Sequence, residues 1–127
     1  MTRVGIIRCE KNQDRCPLTN CLRCLVEGRE GFEMYEAAVP AGIFTCRCPG
    51  DVAVDQAKIL KAKGAEVIHF CTCTFANKTA GAWRLSQGGF CDHIDTLIET
   101  VHREAGVACV KGTAHLPSGY TPHQWEV

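Results

Sequence analysis

Apolar and polar positions along the chain alternate between two rhythms. Arg3 to Arg8 (RVGIIR) is a short apolar run bounded by charge, the pattern of a buried strand. Leu18, Leu22, Leu25 and Val26 then recur at helical spacing. That helix is capped by Thr19 or Asn20, runs to about Glu27 and stops at Gly28. The segment Glu33 to Thr45 contains a second strand with Pro40 inside it, which points to a sheet edge, where no ladder hydrogen bond is lost. Cys48-Pro49-Gly50-Asp51 opens a second helix that reaches Lys63 and ends at Gly64. Glu66 to Phe70 (EVIHF) is a third strand. A long loop, Thr74 to Phe90, carries Gly81, Gly88 and Gly89. Ile94, Leu97, Ile98 and Val101 mark a third helix from Asp92 to Gly106. Val107 to Gly112 is a fourth strand, and the tail from Leu116 to Val127 has no clear element.

The order is βαβαβαβ. Short connections between alternating elements imply a parallel sheet with right-handed crossovers. The expected fold is therefore α/β, in three layers: a flavodoxin-like, four-stranded parallel sheet in the order 2-1-3-4. One domain spans residues 1–127, with a core of about 3–115. Ligands in such folds bind outside the carboxyl ends of the strands, near the switch point between strands one and three.

Composition narrows the function. The 14 basic and 14 acidic residues cancel, and neither sign is clustered, so no nucleic-acid partner is expected. No apolar run approaches the ~18–20 residues that span a membrane. The start does not read as an export signal, so a cytoplasmic location is expected. Ten cysteines in 127 residues are the outstanding feature. In a reducing cytosol, clustered cysteines point to metal binding or redox chemistry rather than disulfides.

Most of these thiols fall at strand ends or helix starts. Cys9 ends strand one, Cys46 and Cys48 follow strand two, and Cys71 and Cys73 follow strand three. In a parallel sheet those ends share one edge. Cys16, Cys21 and Cys24 have the C-x4-C-x2-C spacing used by plant-type ferredoxins, although Cys21 and Cys24 fall on a helix. Cys46 and Cys48 sit just before a predicted helix, whose dipole would lower their pKa. Cys91 repeats that placement. Cys109 lies inside a strand and reads as core, and His69 as a hydrogen-bonded interior residue. His93, His102 and His123 read as surface residues, while His115 lies on the ligand edge.

These residues resemble the CGGC family. Val4 to Lys11, Arg15-Cys16-Pro17 with Cys21, Gly64 to His69 with Cys73, and Gly112 to His115 match its pattern in order and spacing. The namesake motif differs. Cys46-Arg47-Cys48-Pro49-Gly50 stands where the family has Cys-Gly-Gly-Cys-Pro-Gly, which narrows the bite between the two thiols. The resemblance implies metal binding, with zinc as the expected ion, and carries no activity with it.

The expected ligands are Cys9, Cys16, Cys21, Cys46, Cys48, Cys73 and Cys91. Soft thiolates select zinc, Cu(I) or iron–sulfur clusters. A surplus of thiols over the four that one zinc needs keeps an alternative open. That alternative is an iron–sulfur or thiol-redox enzyme acting on a small molecule, with the long loop as its lid.

Overall fold

The computed structural model describes residues 1–86 and 88–127. It is a mixed α/β fold built on a mainly parallel sheet. Strand β1 (Thr2–Cys9) is the centre of the first half. It pairs in parallel with β2 (Ala38–Cys46) on one side and β3 (Val67–Phe70) on the other. Strand β3 pairs in parallel with a later strand, Ala108–Lys111. Between them lie the helices α1 (Thr19–Glu27), α2 (Ala53–Ala62) and α3 (Ile94–Ala105).

Three expectations are corrected. First, the segment from Thr74 to Phe90 is not a bare loop. It contains an antiparallel hairpin, β4 (Asn77–Thr79) and β5 (Ala82–Arg84); Gln87 lies outside the described residues. Three-residue strands are too short to show alternation. Second, the sheet is five-stranded, not four-stranded in the order 2-1-3-4. With Ala108–Lys111 as β6 and His123–Trp125 as β7, its order is β2-β1-β3-β6-β7. The tail supplies β7, which runs antiparallel to β6 with Trp125 opposite Cys109. It occupies an edge of β6 that would otherwise expose unpaired backbone groups. Third, α2 begins at Ala53 and α3 at Ile94, so Cys48 and Cys91 both lie on loops ahead of the helices.

Pro40 sits where β2 needs it least. Strand β2 is an edge strand, and its register with β1 slips by one residue beside Pro40, between Val4 and Gly5. A bulge tolerates the missing N–H.

The sheet is covered on both faces. Ile7, Ile68 and Phe70 pack with Ala57, Leu60, Ile98 and Val101 of α2 and α3. Val4, Ile6 and Val67 pack on the other face with Leu25 and Cys21 of α1 and with Phe32. Fully buried His69 belongs to this second side, as expected of an interior histidine. Its Nδ1 lies 2.8 Å from the Gly112 carbonyl, which can only accept, so Nδ1 carries the proton. Nε2 is then the acceptor for the Tyr35 hydroxyl at 2.6 Å. Among the described residues, no helix is long and apolar enough to cross a membrane.

Candidate metal centre

Strand pairing alone brings the first two thiols together. Cys9 and Cys46 are register partners at the ends of β1 and β2, and neighbouring strands are about 4.8 Å apart. Cys48 follows after one residue, on the exposed turn toward α2. Cys91 arrives from far along the chain. The N–H groups of Phe90 and Cys91 donate to the carbonyls of Cys73 and Thr74, at 2.9 and 3.0 Å. Gly89 makes this possible, because a Cβ there would lie 2.4 Å from both the Cys73 oxygen and the Phe75 nitrogen. Cys9, Cys46, Cys48, Cys91 and His93 thus line one pocket, floored by Ile7, Phe70, Ile94 and Leu97. It leaves about 20 Å³ for a water-sized group, room for about one such centre.

His93 is not a simple surface residue. Its Nε2 lies 2.7 Å from the Pro49 carbonyl and its Nδ1 2.7 Å from Asp92 Oδ1. The Asp92 carboxylate, then the Pro49 carbonyl, hold the imidazole pKa above its ordinary value. With both nitrogens facing acceptors, His93 donates from each when protonated and ties the Cys91 loop to the Cys48–Pro49 turn. It is a tether in this arrangement, since ligation would require one of those bonds to break.

Three of the pocket's thiols, Cys9, Cys46 and Cys91, are held toward the protonated form. Burial pushes Cys46 up to about 11, with the neighbouring charges of Cys91, Cys9 and Cys48 acting in the same direction. Burial also raises Cys9 and Cys91. The expectation of a low Cys46 pKa is therefore overturned. The helix that would have supplied the dipole starts at Ala53, seven residues after Cys46, and a dipole end acts only within about one turn.

A second sulfur group lies across the sheet, with the α1 side. Cys21 from α1 and Cys71 from the end of β3 are both buried, and Cys73 is half-buried. Cys21 and Cys71 pack in one buried cluster, with Cys73 against it. Cys21 Sγ also lies 3.1 Å from Thr113 Oγ1. Bonding to Cys71, more than offsetting burial, lowers Cys21 to about 6. The same partner lowers Cys73, helped by Asn12, while Cys71 is raised because it supplies the proton. These were the low-pKa thiols, and sequence spacing did not reveal them. Their signal was a hydrogen-bond network between residues 50 positions apart.

The remaining candidates disperse. Cys16 Sγ accepts the Leu18 N–H at 3.4 Å, at the start of α1. Cys24 is buried with Cys21 on the α1 side of the core, and Cys16 packs against them, but among the described residues these thiols are not arranged to hold a metal ion. Cys109 is fully buried in β6, and burial pushes it up to about 12. His115 stacks on Trp83, with centroids 4.9 Å apart, and its Nε2 lies 3.0 Å from Asn20 Nδ2. It lies outside the pocket of Cys9 and Cys46. His102 is half-buried and bonds the Val107 carbonyl at 2.9 Å. Among the described residues, no three Cys, His, Asp or Glu side chains are arranged to hold a metal ion as they stand.

A family model described as the CGGC domain matches residues 3–114. The chain belongs to the CGGC domain family. An uncharacterized protein of Methanocaldococcus jannaschii is 36% identical over 80 residues, which is 58% of this chain and 62% of that protein. The alignment therefore covers less than two thirds of the relative's length. No solved structure gives a significant match. The Cys46-Arg47-Cys48 segment falls in the pocket just described.

Proposed function

We propose that this CGGC domain is a metal-binding protein that holds one zinc ion between Cys9, Cys46, Cys48 and Cys91, at the carboxyl edge of the sheet. One observation carries the reading. Four thiols, delivered by three separate segments, line a single small pocket. The donor set fits the ion: four soft sulfurs are a common structural zinc shell, with Zn–S bonds of about 2.3 Å. Four thiols complete one tetrahedral zinc shell, and on that ground zinc is taken as the cofactor over an iron–sulfur cluster. The thiols do not yet converge, so closing on the ion requires side-chain rotation about a backbone already in register. Binding would also release protons from thiols that burial keeps neutral. Cys16, Cys21 and Cys73 lie outside this pocket and are not part of the proposed shell. The reading includes a cytoplasmic location, where thiols remain reduced.

Anaerobic purification followed by metal and sulfide analysis tests it. About one zinc per chain, no acid-labile sulfide and no colour are expected. Iron and sulfide with visible absorbance would replace zinc by a cluster. Purified protein that holds no metal and takes up none on addition of zinc would remove the reading altogether.

A further inference from the structure

The sheet is wider than the helices that cover it. On the face of Ile7 and Phe70 the covering helices are α2 and α3, and α3 lies against β6. Strand β7 extends the sheet beyond β6, with His123 opposite Lys111 and Trp125 opposite Cys109. Trp125 packs on the α3 side of the core. His123 is two residues away on the same strand and shares that face. A groove of about 500 Å³ therefore runs between the flank of α3 and β7, within the size range of small-molecule sites. One wall carries Asp95 and Glu99, about one turn apart on α3, and the other carries the rings of Tyr120, His123 and Trp125. His123 and Trp125 meet edge to face, with centroids 4.3 Å apart. Lys111 shows how this part of the molecule holds a cation. Its Nζ lies 2.8 Å from Asp95 Oδ1 and 4.9 Å from the centre of the Phe75 ring. Glu99, in contrast, forms no ion pair among the described residues. A carboxylate beside aromatic rings thus occurs twice here, and only Asp95 is neutralised.

We infer that this groove binds a small alkylammonium ion, with its charge against Glu99 and its alkyl groups against Trp125 and His123. Ring faces attract cations through their quadrupole, tryptophan most strongly, and alkylated ammonium ions are the cations best recognised in this way. The competing ligand classes fit less well. Calcium and magnesium take shells of six or more oxygens, and magnesium gives up its water reluctantly, whereas this groove offers two carboxylates and a wall of rings. An anion would meet both carboxylates, with the Lys111 ammonium already paired to Asp95. An alkylammonium matches both walls at once, since it carries a positive charge and an apolar surface. The groove shares no lining residue with the pocket of the four proposed zinc ligands, so it stands or falls separately from that reading.

Nitrogen–proton correlation spectra of the full-length protein test it, with choline as the probe. The control is the uncharged alcohol of the same shape, with carbon in place of the quaternary nitrogen. Choline should shift the amides of Asp95, Glu99 and His123 and the indole N–H of Trp125 in a saturable way, with half-saturation at or below about 10 mM. The uncharged alcohol should bind about tenfold more weakly or worse, the difference that a cation–π contact and an exposed ion pair together supply. Glu99→Gln should weaken choline binding by about threefold, and Trp125→Leu by about fivefold or more. Absence of a saturable shift in wild type overturns the site. So does equal affinity for choline and the alcohol, or a response confined to residues outside the groove. Unchanged affinity in folded Glu99→Gln and Trp125→Leu does the same. The two probes on wild type decide the outcome even if Trp125→Leu, whose side chain also packs on the core, fails to fold.

Discussion

Two sulfur groups share one sheet and behave in opposite ways. Around β1 and β2, Cys9, Cys46 and Cys91 are kept protonated by burial and by one another's charge. Across the sheet, Cys21 and Cys73 are pulled toward thiolate because Cys71 donates to them. Burial acts on both groups, so burial does not separate them; the supply of hydrogen bonds does. In the first group a backbone hydrogen bond to Cys9 and one to Cys91 do not offset burial. The second group supplies its own stabilisation through Cys71, Thr113 and Asn12, and has less need of a metal. Residue type and position at a strand end are therefore not enough to assign a thiol its chemistry.

The comparison breaks most directly at the first group. Cys46→Ser or Cys48→Ser should remove most of the bound metal, while Cys109→Ser should retain it, because Cys109 lies in the interior of β6. Elemental analysis of each folded variant, with circular dichroism as the control for folding, checks this. Retention of metal by both pocket variants would move the centre elsewhere.

A pH effect of intermediate size comes from His69 on the α1 side. Burial lowers its pKa to about 4, partly opposed by the Gly112 carbonyl. The unfolded chain takes up that proton near pH 6.5, so between those values the unfolded state binds more protons than the folded one. Stability is therefore full above about pH 6.5 and falls as pH drops toward 4. The gap is worth about 3 kcal/mol at about 1.4 kcal/mol per pH unit. Urea unfolding of wild type across that range should show the slope. His69→Gln, which does not titrate, should lose most of it; an unchanged slope would assign the effect to other groups.

The smallest effect sharpens the contrast between the groups. Cys71→Ala removes the shared donor without adding charge. The ultraviolet absorbance of thiolate in metal-free protein should then rise at higher pH than in wild type, where Cys21 titrates at about 6. Cys46→Ala should leave that early step in place. If both variants titrate alike, Cys71 is not what separates the two groups.

Legibility in the sequence followed element length. Strand β1, the third helix and the edge position of β2 were readable because apolar runs, a four-point stripe and Pro40 are local signals. Strand β7 and the β4–β5 hairpin were not, since three residues carry too little periodicity to stand out. The site shows the same division. Cys9 and Cys46 meet because parallel register follows from strand ends, whereas Cys73, expected beside them, packs with Cys21 and Cys71. Cys91 is delivered by two backbone hydrogen bonds that depend on Gly89, an approach no spacing rule encodes. The predicted acidity of Cys46 failed on a shift of a few residues in where α2 begins.

What the sequence determined by itself is the family, the alternation of strands and helices, and the concentration of thiols at strand ends. Those follow from local pattern, because periodicity, turn residues and motif order are all carried by neighbours in the chain. Only the tertiary structure decided which thiols meet, which are protonated, and that they divide between the two faces of the sheet. Ionisation depends on the donors and charges within a few ångströms, and here those come from residues as distant in sequence as Cys21, Cys71 and Thr113.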